Sequence, residues 1–268
     1  MATGDEGLSW IGRITSSIRH RRYLRSVYLL SNLYDGPAVV EAEGGPATRV
    51  LVIAPHQDDE VIGCGGTLRQ LVERGAQVTV AYLTDGGSGT AGVSSQEQSQ
   101  TREKEAKAGL SVLGIADSIF MRFPDQGLVH SPSVVRSVAQ LIKETDPNVL
   151  FVPYFLDTHP DHAIAARVVG EALSSHPKDL TCYSYEVWTP LPPNIIVDVT
   201  AVMDLKVQAL RQHESQLRNR DYVGKVQGLN AFRSMHADHA AYCEAFMVHS
   251  KSEFLRMLDL NVREGPSG

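Results

Sequence analysis

Cysteine is scarce in this chain: Cys64, Cys182 and Cys243 lie far apart among 268 residues. An odd, sparse set excludes a disulfide framework and suits a reducing compartment. Long apolar runs are missing too, and none approaches the roughly 20 residues that a membrane span requires. Positive charge is in deficit, with Lys plus Arg at 25 against Asp plus Glu at 31 and a net charge of -6. That balance argues against a nucleic-acid partner, which needs a basic surface. The N-terminus has no leader pattern, since Asp5 and Glu6 fall in the first seven residues and no long apolar core follows. Internal repeats and low-complexity tracts are absent as well. These absences lead to the expectation of a cytoplasmic protein without a transmembrane segment, and they leave homo-oligomerisation open.

A hydrophobic content of 43% supplies a full core. Residues 1–48 read as an extension and linker, and residues 49–268 as the main domain. In the extension, Ile11, Ile14 and Ile18 recur at helical spacing among Arg13, Arg19, Arg21, Arg22 and Arg25. This pattern predicts a helix packed on the domain with a solvated basic face, in preference to an anionic membrane contact. Gly36-Pro37 and Gly44-Gly45-Pro46 mark the stretch from Asp35 to Pro46 as a linker. Beyond it, strands are expected at 50–54, 77–83, 118–121 and 149–153. They alternate with helices at 63–74, 97–113, 133–144 and 161–174. Such alternation makes an α/β fold with a mostly parallel sheet and helices on both faces. Further strands are expected at 181–187 and 195–199, a helix at 201–217, and an irregular segment with a helix near 239–258.

In an open parallel sheet, function collects beyond the carboxyl ends of the strands. Pro55-His56-Gln57-Asp58-Asp59-Glu60 follows the apolar run Val50–Ala54, and His159-Pro160-Asp161-His162 follows Val149–Val152. Thr84-Asp85-Gly86 and Phe123-Pro124-Asp125 close two other strands. His56 and Asp59 are three apart at a helix start, so their side chains can converge on one ion. Asp58 must point elsewhere, which frees it to act as a base. His159 and His162 repeat the spacing, and one of them can complete a three-ligand site while the other stabilises an oxyanion or protonates a leaving nitrogen. Two histidines, one carboxylate and an open position suit catalytic zinc, and equally ferrous iron. Each cluster alone has a plain reading as a capped helix start; their coincidence favours the metal. Gly63, Gly65 and Gly66 fit neither G-x-G-x-x-G nor a P-loop, and close helix–sheet packing accounts for them. Cys64 reads as a small buried residue, and His236 and His239 as ordinary surface or core histidines.

The two His/Asp motifs, in this order and each after a strand, closely resemble the PIG-L/LmbE-like zinc-dependent N-deacetylases. Gln57 stands where that family usually has proline. Gly63-Cys64-Gly65-Gly66-Thr67, Thr84-Asp85-Gly86 and the Arg102-Glu103, Glu105-Ala106 segment extend the likeness. A looser match runs through Glu186–Thr189, Val197–Thr200, Lys206, Ala209-Leu210, His213 and Ser215-Gln216. The resemblance covers roughly residues 49–217. It implies a Rossmann-like fold and removal of acetyl from an N-acetylated amino sugar, a small molecule or glycoconjugate of N-acetylglucosamine type. It further implies Zn2+ on His56, Asp59 and His162, Asp58 as general base, and His159 at the oxyanion. Asp161 would orient a histidine, and Arg102 and Asp125 would contact the sugar. Some relatives carry a tyrosine two residues before the second motif, where this chain has Asp157. Two other functions stand beside the deacetylase: a metal hydrolase of another amide or ester, and a non-catalytic binding protein. The intact Asp58 and both clusters argue against the second of these.

Overall fold

The computed structural model describes residues 36–88, 92–218 and 220–262. Eight strands join in one sheet: β1 (Ala38–Val40), β2 (Arg49–Ala54), β3 (Gln77–Thr84), β4 (Asp117–Phe123), β5 (Val149–Pro153), β6 (Thr181–Tyr185), β7 (Ile195–Asp198) and β8 (Cys243–Ser250). Their order across the sheet is β1-β7-β8-β6-β5-β2-β3-β4. All neighbours are parallel except at β8, which runs antiparallel to both β6 and β7. The eight helices among the described residues are α1 (Asp59–Glu73), α2 (Ser95–Leu113), α3 (Pro132–Thr145), α4 (Pro160–Ser174), α5 (Met203–Arg211), α6 (Glu214–Leu217), α7 (Tyr222–Arg233) and α8 (Lys251–Val262).

Side chains alternate across a strand. Val50, Val52 and Ala54 of β2 therefore pack with Leu68, Leu110 and Leu210 on one face of the sheet. Leu51 and Ile53 pack with Val138, Ile142 and Val169 on the other. Burial on both faces is why the central strands read as unbroken apolar runs. Helix ends follow their local signals. Ser94 accepts the Glu97 N–H and Gly114, at φ 77°, ends α2. Ser131 caps α3, with Pro132 in its first turn.

After β2 the chain pairs β3 on one side, while β5 flanks β2 on the other. That reversal is the topological switch point, where a crevice opens beyond the strand tips. The two His/Asp motifs leave the sheet on either side of it.

Four C-terminal and N-terminal features depart from expectation. The helix near 239–258 is instead β8 followed by α8. Burial of β8 on both faces removes the alternation that would have marked a strand. The helix at 201–217 is a 3-10 turn (Thr200–Val202), α5 and α6, broken where His213 turns into the interior. The segment after 218, read as irregular, contains α7. Ala38–Val40 lies inside the expected linker but pairs with β7, so the sheet begins ahead of residue 49. The helix expected around Ile11–Ile18 lies outside the described residues.

Candidate active site

The tips of β2 and β5 bring the two motifs together. His56 Nδ1, Asp59 Oδ2 and His162 Nε2 form a triangle with all three sides 3.2 Å. Donors about 2.0–2.1 Å from a tetrahedral zinc ion lie about 3.3 Å apart, so this spacing fits one small divalent cation. The outer ring nitrogens face carboxylates. His56 Nε2 is 3.2 Å from Asp161 Oδ2 and 3.3 Å from Asp125 Oδ1, and His162 Nδ1 is 3.3 Å from Asp157 Oδ1. Carboxylates on the outer nitrogens hold the ring protons there, which leaves the inner lone pairs for a metal. Other groupings also converge on His56, one with His159 and His162 and one with Asp125 and Asp161.

The electrostatics of the cluster call for positive charge. Burial disfavours a charged imidazole, but the Asp59 charge and the carboxylate hydrogen bonds overcome it, and His162 is pushed up to about 9. His56 is raised in the same way by Asp59, Asp125 and Asp161. A divalent cation would meet that demand without protons.

The three acids at the start of α1 take three directions. Asp59 faces the triangle. Asp58 faces the cavity, and its Oδ1 accepts from Arg102 Nη2 at 3.3 Å. Burial raises the Asp58 carboxyl to about 6 against the pull of Arg102. Glu60 turns into the core, where Tyr82 Oη donates to it at 2.6 Å and burial pushes it up to about 8. Gln57 ties two strand tips together by donating to the Thr84 carbonyl at 2.8 Å. Gly86, at φ 63°, is required beside it, because a Cβ there would meet Gln57 Oε1 at 2.2 Å and Arg102 Cδ at 2.9 Å.

His159 caps α4. Its Nδ1 accepts the Asp161 N–H at 3.3 Å, which assigns the ring proton to Nε2. Burial and the neighbouring imidazoles lower its pKa, so it is a neutral donor on the cavity wall. The cavity encloses about 450 Å³, within the range of small-molecule sites. Asp58, Arg102, Asp125, His159, Trp188 and Arg220 are among the residues that line it.

All eight residues singled out from the sequence thus lie in or against one site. Asp125 is held against His56 and 4.0 Å from Arg102, as well as on the wall. Asp157, noted only for its position, also accepts the backbone N–H of His159 at 2.8 Å and of Trp188 at 2.9 Å. An acid at a strand tip just ahead of a capped helix was the available signal. Trp188 falls within the looser Glu186–Thr189 match, whereas Arg220 sits in a loop whose composition carried no signal. His213 is buried behind Arg102, packed against Gly109, and pushed down to about 3 by burial. It holds no place on the cavity wall, whereas its neighbours Ser215 and Gln216 do. His236 and His239 are exposed and away from the cavity. The Cys64 thiol is buried and raised well above its ordinary value, consistent with an inert packing residue.

The glycine run of α1 packs as expected: a Cβ on Gly63 would meet the Tyr185 ring at 2.2 Å, and one on Gly66 would meet Val199 at 2.7 Å. An ion pair secures the same helix. Lys206 Nζ, fully buried, donates to Ile62 O at 2.9 Å, Asn230 Oδ1 at 2.9 Å and Glu244 Oε1 at 2.6 Å. Glu244 in turn accepts the N–H groups of Gly66 and Thr67, both at 2.8 Å.

Residues 51–173 match the family model described as PIG-L, GlcNAc-PI de-N-acetylase. The chain is similar to a diacetylchitobiose deacetylase of Thermococcus kodakarensis, 32% identical over 63% of this chain and 70% of the relative. It is likewise similar to a probable N-acetyl-alpha-D-glucosaminyl L-malate deacetylase 2 of Bacillus cereus, 32% identical over 62% of this chain and 83% of the relative. Among solved structures, N,N'-diacetylchitobiose deacetylase from Pyrococcus horikoshii superposes with a TM-score of 0.69 at 25% identity, covering 76% of this chain and 85% of that one.

Proposed function

The chain belongs to the PIG-L family, and from that premise we propose that it is a metal-dependent hydrolase of N-acetylated amino sugars of N-acetylglucosamine type, releasing acetate and a free amine. The observation that carries the reading is the 3.2 Å triangle of His56, Asp59 and His162, with Asp58 beside it on a sugar-sized cavity. No helix among the described residues is long and apolar enough to cross a membrane.

In this proposal His56, Asp59 and His162 hold the cation, with zinc as the proposed metal. Such a cation lowers the pKa of water to about 7 and polarises a carbonyl. Asp58 accepts the proton of the attacking water, and Arg102 keeps its carboxylate ionised and aimed. His159 donates its Nε2–H to the oxygen on which charge develops. Asp58 then returns the proton to the amide nitrogen as the C–N bond breaks, so water and amide are consumed and acetate and amine appear in equal amounts. Asp161 and Asp157 keep the two ligand imidazoles in their tautomers. Asp125 and Arg102 face the sugar.

Acetate release from a panel of N-acetylglucosamine compounds, with and without chelator, tests the reading. Metal-dependent release from at least one is expected. No release from any compound by metal-loaded protein would overturn it.

A further inference from the structure

We propose that Arg122 and Glu103, which lie outside the cavity, are positioning residues: their ion pair holds a strained bulge at the tip of β4, and that bulge delivers Asp125 and Gln126 to His56 and to its partner Asp161. The inference rests on the metal-hydrolase reading above and adds to it what supports one of the metal ligands.

β4 is an edge strand, paired with β3 alone. Their register jumps from Tyr82 opposite Phe120 to Thr84 opposite Phe123, so Met121 and Arg122 together oppose Leu83. A bulge of this kind re-aims the chain that follows it. Arg122 sits at φ 54°, in the left-handed region that favours glycine, and Gln126 repeats the strain at φ 56°. The two residues bracket Asp125. The Arg122 side chain offsets the strain, because its Nε and Nη2 donate to Glu103 Oε1 at 2.7 Å and Oε2 at 3.0 Å. A two-pronged fork fixes direction as well as distance, which sets it apart from an ordinary surface ion pair. Glu103 adjoins Arg102 on α2, so the helix that aims the guanidinium at Asp58 also anchors the bulge.

The turn beyond the bulge reaches the site through its own backbone. Phe123 O accepts the Asp85 N–H at 2.8 Å, and the Asp125 N–H donates to Asp85 Oδ1 at 3.2 Å. The Asp125 carboxylate then stands 3.3 Å from His56 Nε2. The Gln126 N–H donates at 3.0 Å to Asp161 Oδ2, the same oxygen that lies 3.2 Å from His56 Nε2. Both carboxylates on the outer nitrogen of His56 therefore depend on how β4 ends. Carboxylates in that place orient the ring and strengthen it as a ligand. Arg122 has no place on the cavity wall and its side chain is 61% exposed, so it acts only through the loop.

Glycine separates the fork from the backbone it holds, since it adopts a positive φ without strain. Zinc Kd by chelator competition and amide exchange across residues 122–127 are measured for wild type, Arg122→Ala and Arg122→Gly, and for Glu103→Gln in the wild-type and Arg122→Gly backgrounds. kcat/KM is measured on the N-acetylglucosamine compounds of the acetate-release panel. Arg122→Ala should raise the zinc Kd about three- to tenfold, less than the outright loss of such a carboxylate, and speed exchange in the loop. Arg122→Gly should recover most of that affinity. Glu103→Gln should weaken zinc binding in the wild-type background and change nothing in Arg122→Gly. kcat/KM should follow the same order. A wild-type zinc Kd in Arg122→Ala, or an Arg122→Gly no better than Arg122→Ala, would overturn the inference. If no panel compound is hydrolysed while the zinc Kd keeps this order, the deacetylase reading fails and this inference stands.

Discussion

Replacing Asp58 by asparagine separates the base from everything else in the site. The amide oxygen can still accept from Arg102, and none of the proposed metal donors is touched. Positioned general bases contribute about 10²–10⁴ in rate, so kcat should fall by that factor while bound metal is unchanged. A second effect follows from the raised carboxyl. Its folded pKa of about 6 lies above the ordinary 3.8. The protonated form is therefore the better folded one. Its stabilisation is complete below pH 3.8 and is lost as pH rises through about 6. Asparagine cannot ionise and avoids that loss. Metal-free Asp58→Asn should thus exceed wild type in stability by at most about 3 kcal/mol at pH 8 and about half that at pH 5. Denaturant melts in chelator at the two pH values, with single-turnover assays of the loaded enzyme, measure both effects. Activity within tenfold of wild type at equal metal content would refute the assignment. A stability gap that does not change with pH would refute the burial argument behind it.

Three further perturbations probe the supports of the site. Asp157→Asn removes the charge facing His162 Nδ1; metal affinity should drop about 10–100-fold in a chelator competition. Lys206→Met strands Glu244 as a buried, unpaired charge; urea unfolding should show a loss of about 3–5 kcal/mol. Gly86→Ala forces a Cβ against Gln57 and Arg102; kcat should fall with little change in metal content, read by steady-state kinetics and elemental analysis.

Much of the site was legible because its residues sit directly after apolar runs. Burial on both faces makes β2 and β5 obvious, and polar residues at their tips then have one rim to occupy. The i, i+3 spacings could be read locally, so His56, Asp59, His159 and His162 could be grouped before any fold was known. What stayed hidden depends on partners far along the chain. β8 lies between β6 and β7, and its Glu244 is tolerated there only because Lys206 and two backbone N–H groups of α1 meet it. No window around residue 244 contains those partners, so the segment read as helix. Trp188 and Arg220 acquire meaning only through their mutual stacking. Asp157 does so only when β5 brings it beneath His162.

Anomalous diffraction at the zinc edge on the metal-loaded protein addresses the central claim most directly. The account predicts a peak within about 2.0–2.2 Å of His56 Nδ1, Asp59 Oδ2 and His162 Nε2. A peak on His56 Nε2 with Asp125 and Asp161, or no bound metal at all, would contradict it.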